Sequence, residues 1–378
     1  MKKCVVVSDS FKGTVSSREI CEIAQRVIPR HFPACEVVCI PVADGGEGTV
    51  DCFIQAVDAQ RVEVTVTNAL GEKSAAAYAR IGELAIIEMA AAAGLPQVGA
   101  LRCPGTATTY GVGELIAHAV HSGCKRILLG LGGSATNDGG CGCAAALGVG
   151  FLDADGRSFV PVGDTLGRIA RIDTAKADEL LRSVEITVMC DVTNPLYGPT
   201  GAAYVFAPQK GADAEKVKSL DAGLRHFGDV IRSQLGIDVS RMPGAGAAGG
   251  MGAGCVALLG GMIQSGIDAV LDVTGFDRQL EGADLVITGE GRIDSQSAGG
   301  KVISGVARRT KAKGIPLIAI AGGIADSAGA VYDIGVSAMF STDRAALPVD
   351  MLGARSPGDY EATLSDIMSL IAIAERFA

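Results

Sequence analysis

The sequence predicts an α/β protein in which a parallel, doubly wound sheet is interrupted by a second α/β domain. Short apolar runs alternate with helix-period segments over the first 60 residues, and the same texture returns only after residue 282. The stretch between has strand-like alternation in place of fully apolar runs, which marks a separate unit. At 378 residues, 48% of them hydrophobic, the chain is also long enough for two cores, since single cores stop growing near ~250 to 300 residues.

In chain order, Cys4 to Val7 is the first strand, Ser8 to Gly13 a polar turn and Ser17 to Ile28 a helix. Ser16 or Ser17 supplies the N-cap with Glu19 in the first turn, and Pro29 is expected to stop the helix. Glu36 to Ile40 completes a βαβ unit, and the turn 41–48 leads into a helix over 49–57. Val62, Val64 and Val66, then Ala75 to Ile81 and Leu84 to Glu88, form an antiparallel meander turning at Asn68 to Glu72. Helices follow near 109–121, 214–234 and 256–263, with strands at Ile127 to Leu129 and Val184 to Met189. Strands 285–288, 317–321 and 336–340 and helices 302–313 and 359–377 close the chain. Two strands before residue 60 and three after 283 make five, the count of a flavodoxin-like sheet. The expected domains are 1–60 with 282–378, and an inserted α/β domain over 61–281.

Thirty-three basic against 42 acidic residues leave a net charge of −9, which argues against nucleic acid and against an anionic membrane surface. Cys4, Cys39, Cys124, Cys190 and Cys255 lie in or beside apolar runs, no Cys-x-x-Cys occurs, and the four histidines have no zinc spacing. After Lys2 and Lys3 the chain turns polar by Ser8, so no signal-peptide core is read and a cytoplasmic location is expected. The uncharged stretch 242–263 holds eight glycines and reads as a loop entering a buried helix, not a membrane span.

The most distinctive segment is the apolar run Ile127 to Leu129 emptying into Gly130, Gly132, Gly133, Ser134, Thr136, Asn137, Asp138, Gly139 and Gly140. Such a turn uncovers backbone N–H groups, and the helix expected at Cys141 to Leu147 would present its N-terminus to an anion. A ligand-free turn is the plain alternative. Strand ends elsewhere are equally polar: Asp9, Ser10 and Lys12; Asp44 and Glu47; Glu290, Arg292, Asp294 and, a turn later, Lys301. Any one of these acids suits helix capping, but ligands of open parallel sheets bind at the carboxyl ends of the strands. Asp191 followed by Asn194, and Lys210 after Pro208 and Gln209, form a matching set in the middle of the chain. The expected site is therefore a cleft between the two domains. Gly244, Gly246 and Gly249 fit the dinucleotide fingerprint but follow no strand, Gly130, Gly132 and Ala135 fit only its looser form, and no Walker pattern occurs.

The blocks Asp9 to Gly13, Pro41 to Thr49, Leu131 to Gly140, Cys190 to Leu196, Pro208 to Ala212 and Thr288 to Ser297 with Gly300 and Lys301 together resemble the bacterial type I glycerate kinases. The likeness runs in order from the first strand past Gly323. It departs at Ala207, where the family usually has glycine, and at Ile303 and Ser304, where a proline is usual. The resemblance implies phosphorylation of D-glycerate with ATP and Mg2+, with the inserted domain of restriction-endonuclease-like topology.

Phosphoryl transfer needs positioned phosphates, cations and a base near the acceptor hydroxyl. Gly132, Gly133, Ser134, Thr136 and Asn137 are read as the phosphate cradle, with Asp191 as base or Mg2+ ligand and Asp44 next in line. Lys12 and Arg292, with Lys210 or Lys301, would neutralise the carboxylate of the substrate and the charge on the transferring group. Ser10, Glu290 and Asp294 complete the expected substrate set. The product is 2-phosphoglycerate or 3-phosphoglycerate, with the resemblance favouring the former. Rival readings are an NAD-dependent oxidoreductase of a small hydroxy acid and a non-catalytic binding protein for an anionic metabolite. Oligomeric state is not legible in the sequence.

Overall fold

The computed structural model describes residues 1–11, 14–40, 42, 50, 53–54, 59–299, 302–345 and 353–377. Lys12, Asp44 and Lys301, and most of the expected turn 41–48 and helix 49–57, lie outside the described residues. Mixed α/β structure with parallel sheets is observed throughout. The strands are β1 (Lys3–Ser8), β2 (Glu36–Cys39), β3 (Gln60–Thr67), β4 (Lys73–Ile81), β5 (Leu84–Glu88), β6 (Arg126–Gly130), β7 (Gly150–Leu152), β8 (Arg171–Asp173), β9 (Glu185–Met189), β10 (Met262–Gln264), β11 (Leu285–Ile293), β12 (Leu317–Ile324) and β13 (Ala338–Ser341). By internal contacts the chain falls into two compact units, Met1–Ala43 and Ile267–Ala378 forming the bulk of one and Asp58–Gly266 that of the other.

The first unit is built on a five-stranded, wholly parallel sheet of order β13-β12-β11-β1-β2. Its strands are apolar on both faces because helices cover them. Helix α1 (Ser17–His31) packs Ile20, Ile23, Ala24 and Val27 against Cys4, Val6 and Ile287, together with Tyr360, Leu364 and Ile367 of the C-terminal helix Ser356–Ala374. A capping box starts α1: the Ser16 hydroxyl accepts from the Glu19 N–H at 3.1 Å, and the Glu19 carboxylate accepts from the Ser16 N–H at 2.9 Å. Pro29 does not stop this helix, which continues to His31. The proline falls in the last turn and forfeits only its own bond, so the Phe32 N–H still closes on the Ile28 carbonyl at 2.9 Å.

Strand β11 also differs from expectation. It runs on to Ile293 because β12 extends beside it, pairing Arg292 with Gly323 and Ile293 with Ile324. Glu290 and Arg292 therefore sit on a strand and not on a loop. Helix Gly266–Val273 belongs with this unit through Ile267, and Asp268 and Asp272 pair there with Arg309, at 3.5 and 2.7 Å.

The second unit holds a six-stranded mixed sheet of order β10-β9-β6-β5-β4-β3. The expected meander is present, β3 to β4 and β4 to β5 being antiparallel, and β5, β6, β9 and β10 pair in parallel. The helix expected at 256–263 begins instead at Ala247 and ends at Leu259, and Ile263 lies in β10. Its first turn is not right-handed. Ala248, Gly249 and Gly250 are consecutively left-handed, and the Gly139 N–H donates to the Gly249 carbonyl at 3.0 Å. A Cβ on Gly249 would collide with the Thr136 carbonyl, so backbone meets backbone at this point. Ala207, the departure from the family glycine, is wholly buried with ordinary right-handed dihedrals, which alanine adopts without strain.

This contact yields a paired test. Gly314 is left-handed like Gly249, but a Cβ there meets open space. Gly314→Ala should cost about 1 kcal/mol for the backbone alone, and Gly249→Ala about 3 kcal/mol through added overlap, both read by urea denaturation. Equal losses would show that the close approach is not a constraint.

Candidate functional site

The carboxyl end of β6 opens onto a pocket of about 270 Å³ within the second unit. The buried strand delivers the chain to Leu131, whose N–H donates to the Met189 carbonyl at 3.4 Å, and then to Gly132 and Gly133. Gly133 takes φ +73°, which turns the backbone back on itself. The next residues pair with a neighbouring segment: the Leu95 N–H donates to the Gly133 carbonyl at 2.8 Å, and the Ala135 N–H to the Ala93 carbonyl at 2.9 Å. The N–H groups of Gly132, Gly133 and Ser134 donate to no described residue, and all three residues line the pocket. Consecutive amides around a left-handed glycine form a concavity suited to an anion.

Lys210 forms another part of the wall. It ends the tight turn Pro208–Lys210 and is only 2% exposed, with its amine donating to the Ser134 hydroxyl and to the Thr136 carbonyl, both at 2.7 Å. Burial pulls this amine down from 10.5 to about 7, against the opposing attraction of Asp138. Asp138 is itself wholly buried and accepts from the Thr109 N–H and hydroxyl, both at 2.8 Å, and from the Gly140 and Gly142 N–H groups at 3.1 and 3.3 Å. Desolvation pushes its pKa above the usual carboxylate value despite these bonds.

Those bonds change the reading of the following helix, Cys141–Ala146. Its N-terminus does face a negative group, but the group is the chain's own Asp138 carboxylate, which satisfies the first amides internally. The amides without a partner among the described residues are therefore those of the turn at Gly132 to Ser134 and not those of the helix end. Thr136 and Asn137, expected in the same cradle, do not line the pocket. Both are wholly buried, and the Thr136 hydroxyl and Asn137 amide have no hydrogen-bond partner among the described residues.

Asp191 follows β9 and lines the same pocket, one carboxylate oxygen accepting from the Gly266 N–H at 2.8 Å. Leu95, Met189, Val192 and Phe206 supply apolar wall, with Gln209 beside Lys210. Ala247 and Ala248 were not picked out from the sequence, although the glycine run around them was conspicuous. Ala248 is the one non-glycine residue at positive φ among those described, at +53°, and it borders the pocket. The run is no dinucleotide fingerprint, because no strand precedes it.

The remaining expected residues that are described, Ser10, Glu290, Arg292 and Asp294, lie on or just beyond β1 and β11 of the first unit's sheet, where Ser8 of β1 is in register with Gly289 of β11. The Asp9 N–H donates to the Gly289 carbonyl at 2.9 Å, and the Asp9 carboxylate accepts from the Ser10 N–H at 2.7 Å. Glu290 is buried and accepts from the Ser297 hydroxyl. Arg292, two residues along the same strand, is exposed. Asp294 has the capping role weighed for it, accepting from the Gln296 N–H at 2.8 Å at the start of the turn Ser295–Ala298. This edge brings Ser10, Glu290, Arg292 and Asp294 into one neighbourhood. Among the described residues no group of three or more His, Cys, Asp or Glu side chains is placed to hold a metal. A single carboxylate such as Asp191 suits Mg2+, which is commonly held by one or two carboxylates together with substrate phosphates.

Fold and pocket describe an α/β protein with a pocket lined by a buried amine, a carboxylate and amides that have no partner among the described residues. The profile of the glycerate kinase family matches residues 4–372. A glycerate kinase of Bacillus cereus is 46% identical over 99% of both chains, and glycerate 2-kinase of Escherichia coli is 45% identical over 90% of both. A Salmonella typhimurium LT2 protein crystallised under a glycerate kinase name superposes with a TM-score of 0.88 at 39% identity, covering 99% of each chain. The chain belongs to the glycerate kinase family and is a kinase. No helix among the described residues is long and apolar enough to cross a membrane.

The buried amine gives a pH test of the site. Between about 7 and 10.5 the unfolded chain binds a proton at Lys210 that the folded chain does not, so stability rises with pH across that window and is flat below it. Relative to Lys210→Met, the wild type should gain stability from pH 7 upward with a slope approaching ~1.4 kcal/mol per unit. Parallel denaturation curves for the two proteins would contradict the assignment.

Proposed function

We propose that this kinase transfers the terminal phosphoryl group of ATP to D-glycerate, giving 2-phosphoglycerate. The carrying observation is the pocket in which three uncommitted amides, Lys210 and Asp191 converge. Phosphoryl transfer asks the protein chiefly for positioning and charge compensation, and this wall offers both. In this reading the amides of Gly132, Gly133 and Ser134 hold phosphate oxygens. Thr136 and Asn137 support the turn, with the Thr136 carbonyl anchoring Lys210. Asp191 accepts the proton of the acceptor hydroxyl or shares Mg2+ with the nucleotide. When bound, Mg2+ would neutralise charge on the phosphates.

The sheet edge of the first unit is the proposed glycerate site. Arg292 pairs with the substrate carboxylate, Ser10 contacts a substrate hydroxyl, and buried Glu290 and capping Asp294 fix the local backbone. Lys12 and Lys301 are proposed as further cations for the substrate and Asp44 as the second candidate base or Mg2+ ligand; all three lie outside the described residues. The five-stranded order supports a flavodoxin-like assignment for this unit, with the second unit as an inserted domain and a cytoplasmic setting. The name of the Escherichia coli relative supports the 2-position. Nothing in the pocket favours the oxidoreductase or the non-catalytic reading.

Phosphorus NMR of the product from D-glycerate and ATP should show 2-phosphoglycerate, whereas 3-phosphoglycerate would overturn the regiochemistry. Asp191→Asn should lower kcat by about 100-fold or more with a smaller change in glycerate KM. An unchanged kcat with a raised KM would assign Asp191 to uniform binding instead.

A further inference from the structure

Among the described residues, Lys210 has no anionic partner within hydrogen-bonding reach. Its amine contacts two neutral oxygens, the Ser134 hydroxyl and the Thr136 carbonyl, and the residue is almost wholly removed from water. A buried ammonium without a counter-ion is expensive, and the usual escape is loss of the proton. The donor count agrees. A neutral amine carries two N–H bonds, and the structure commits two; a third donor exists only in the ammonium form. The pocket wall beside it ends in the uncommitted amides of Gly132, Gly133 and Ser134, so an anion seated there supplies the missing counter-charge.

We propose that a phosphate group entering this pocket is accompanied by uptake of one proton at Lys210, so that nucleotide binding and release are linked to pH. The inference rests on the reading above that nucleotide phosphates occupy this turn. The step is a protonation alone: the amine lone pair of Lys210 accepts a proton from solvent or buffer, and the new N–H points its charge at the bound phosphate. The balance of surrounding groups permits it. Asp138 attracts the ammonium but is saturated by Thr109, Gly140 and Gly142. Asp191 and the Cys190 thiol share the pocket, and burial raises the thiol so that it stays protonated near neutrality. Arg102 donates to the Gln209 carbonyl at 3.2 Å and is exposed. The loss of charge on Lys210 in the free pocket, at about 7, sets the range in which the linkage operates.

Calorimetric titration of the intact protein with ADP, at about pH 8.5 in buffers of differing ionisation enthalpy, tests this directly. At that pH the free nucleotide is fully ionised, so proton uptake reports the protein. The expected result is uptake of close to one proton per ADP, and Lys210→Arg, whose guanidinium is always charged, should bind ADP with none. Binding to the wild type with no buffer dependence overturns the linkage and leaves the nucleotide reading intact. Absence of any ADP binding overturns both. Should the arginine variant not fold, nitrogen NMR of the lysine Nζ in the wild type decides the same point. A change from amine to ammonium on adding ADP supports uptake, and an unchanged signal refutes it.

Discussion

The candidate site depends on one buried amine. Lys210 bridges the Ser134 hydroxyl and the Thr136 carbonyl, two residues apart on a glycine-rich turn that has few side chains of its own to hold it. Such a turn would otherwise lose little by changing shape, because glycine carries a high conformational entropy when free. The amine fixes the turn on one flank, and the left-handed backbone at Ala248 to Gly250 fixes it on the other through the Gly139 to Gly249 bond. The cost is a lysine removed from water without a carboxylate partner among the described residues.

Asp138 shows the complementary economy. A carboxylate placed inside the second unit consumes the amides at the start of the helix Cys141–Ala146, and those amides are then closed to any ligand. Among the described residues, the three amides before it are the ones of this segment that line the pocket without a partner. The same segment thus holds an internally bonded carboxyl group and a set of amides without a partner among the described residues, separated by Ala135, Thr136 and Asn137. Charge is distributed differently along the sheet edge of the first unit, where Glu290 is buried under the Ser297 hydroxyl while Arg292 reaches solvent. Alternation along β11 puts both side chains on one face, and the extended pairing with β12 fixes that register.

Much of the framework was legible because its signals are local. The apolar runs of β1, β6, β9, β11 and β12, the capping box at Ser16 and the meander β3 to β5 follow from period and turn chemistry. The turn at Gly132 to Ser134 was legible from composition, as was the placement of Asp191 after a buried strand. The start of the helix Ala247–Leu259 was not, since its first residues adopt dihedrals that only packing against Thr136 and Gly139 selects. Nor was the partnership of Lys210 with Ser134, which joins residues far apart in sequence. Asp138 stood in the glycine-rich run with no role assigned to it; burial and its four bonds reveal a structural acid.

The claim that the amine organises the turn is open to one direct measurement: amide hydrogen exchange of Lys210→Met against the wild type, resolved to single residues. Loss of the bridge should speed exchange of the Ala135 amide, which donates to the Ala93 carbonyl, by at least about 10-fold while amides of β1 and β11 exchange as before. Unchanged protection at Ala135 in a folded variant would contradict the account, because the turn would then hold its shape without the lysine.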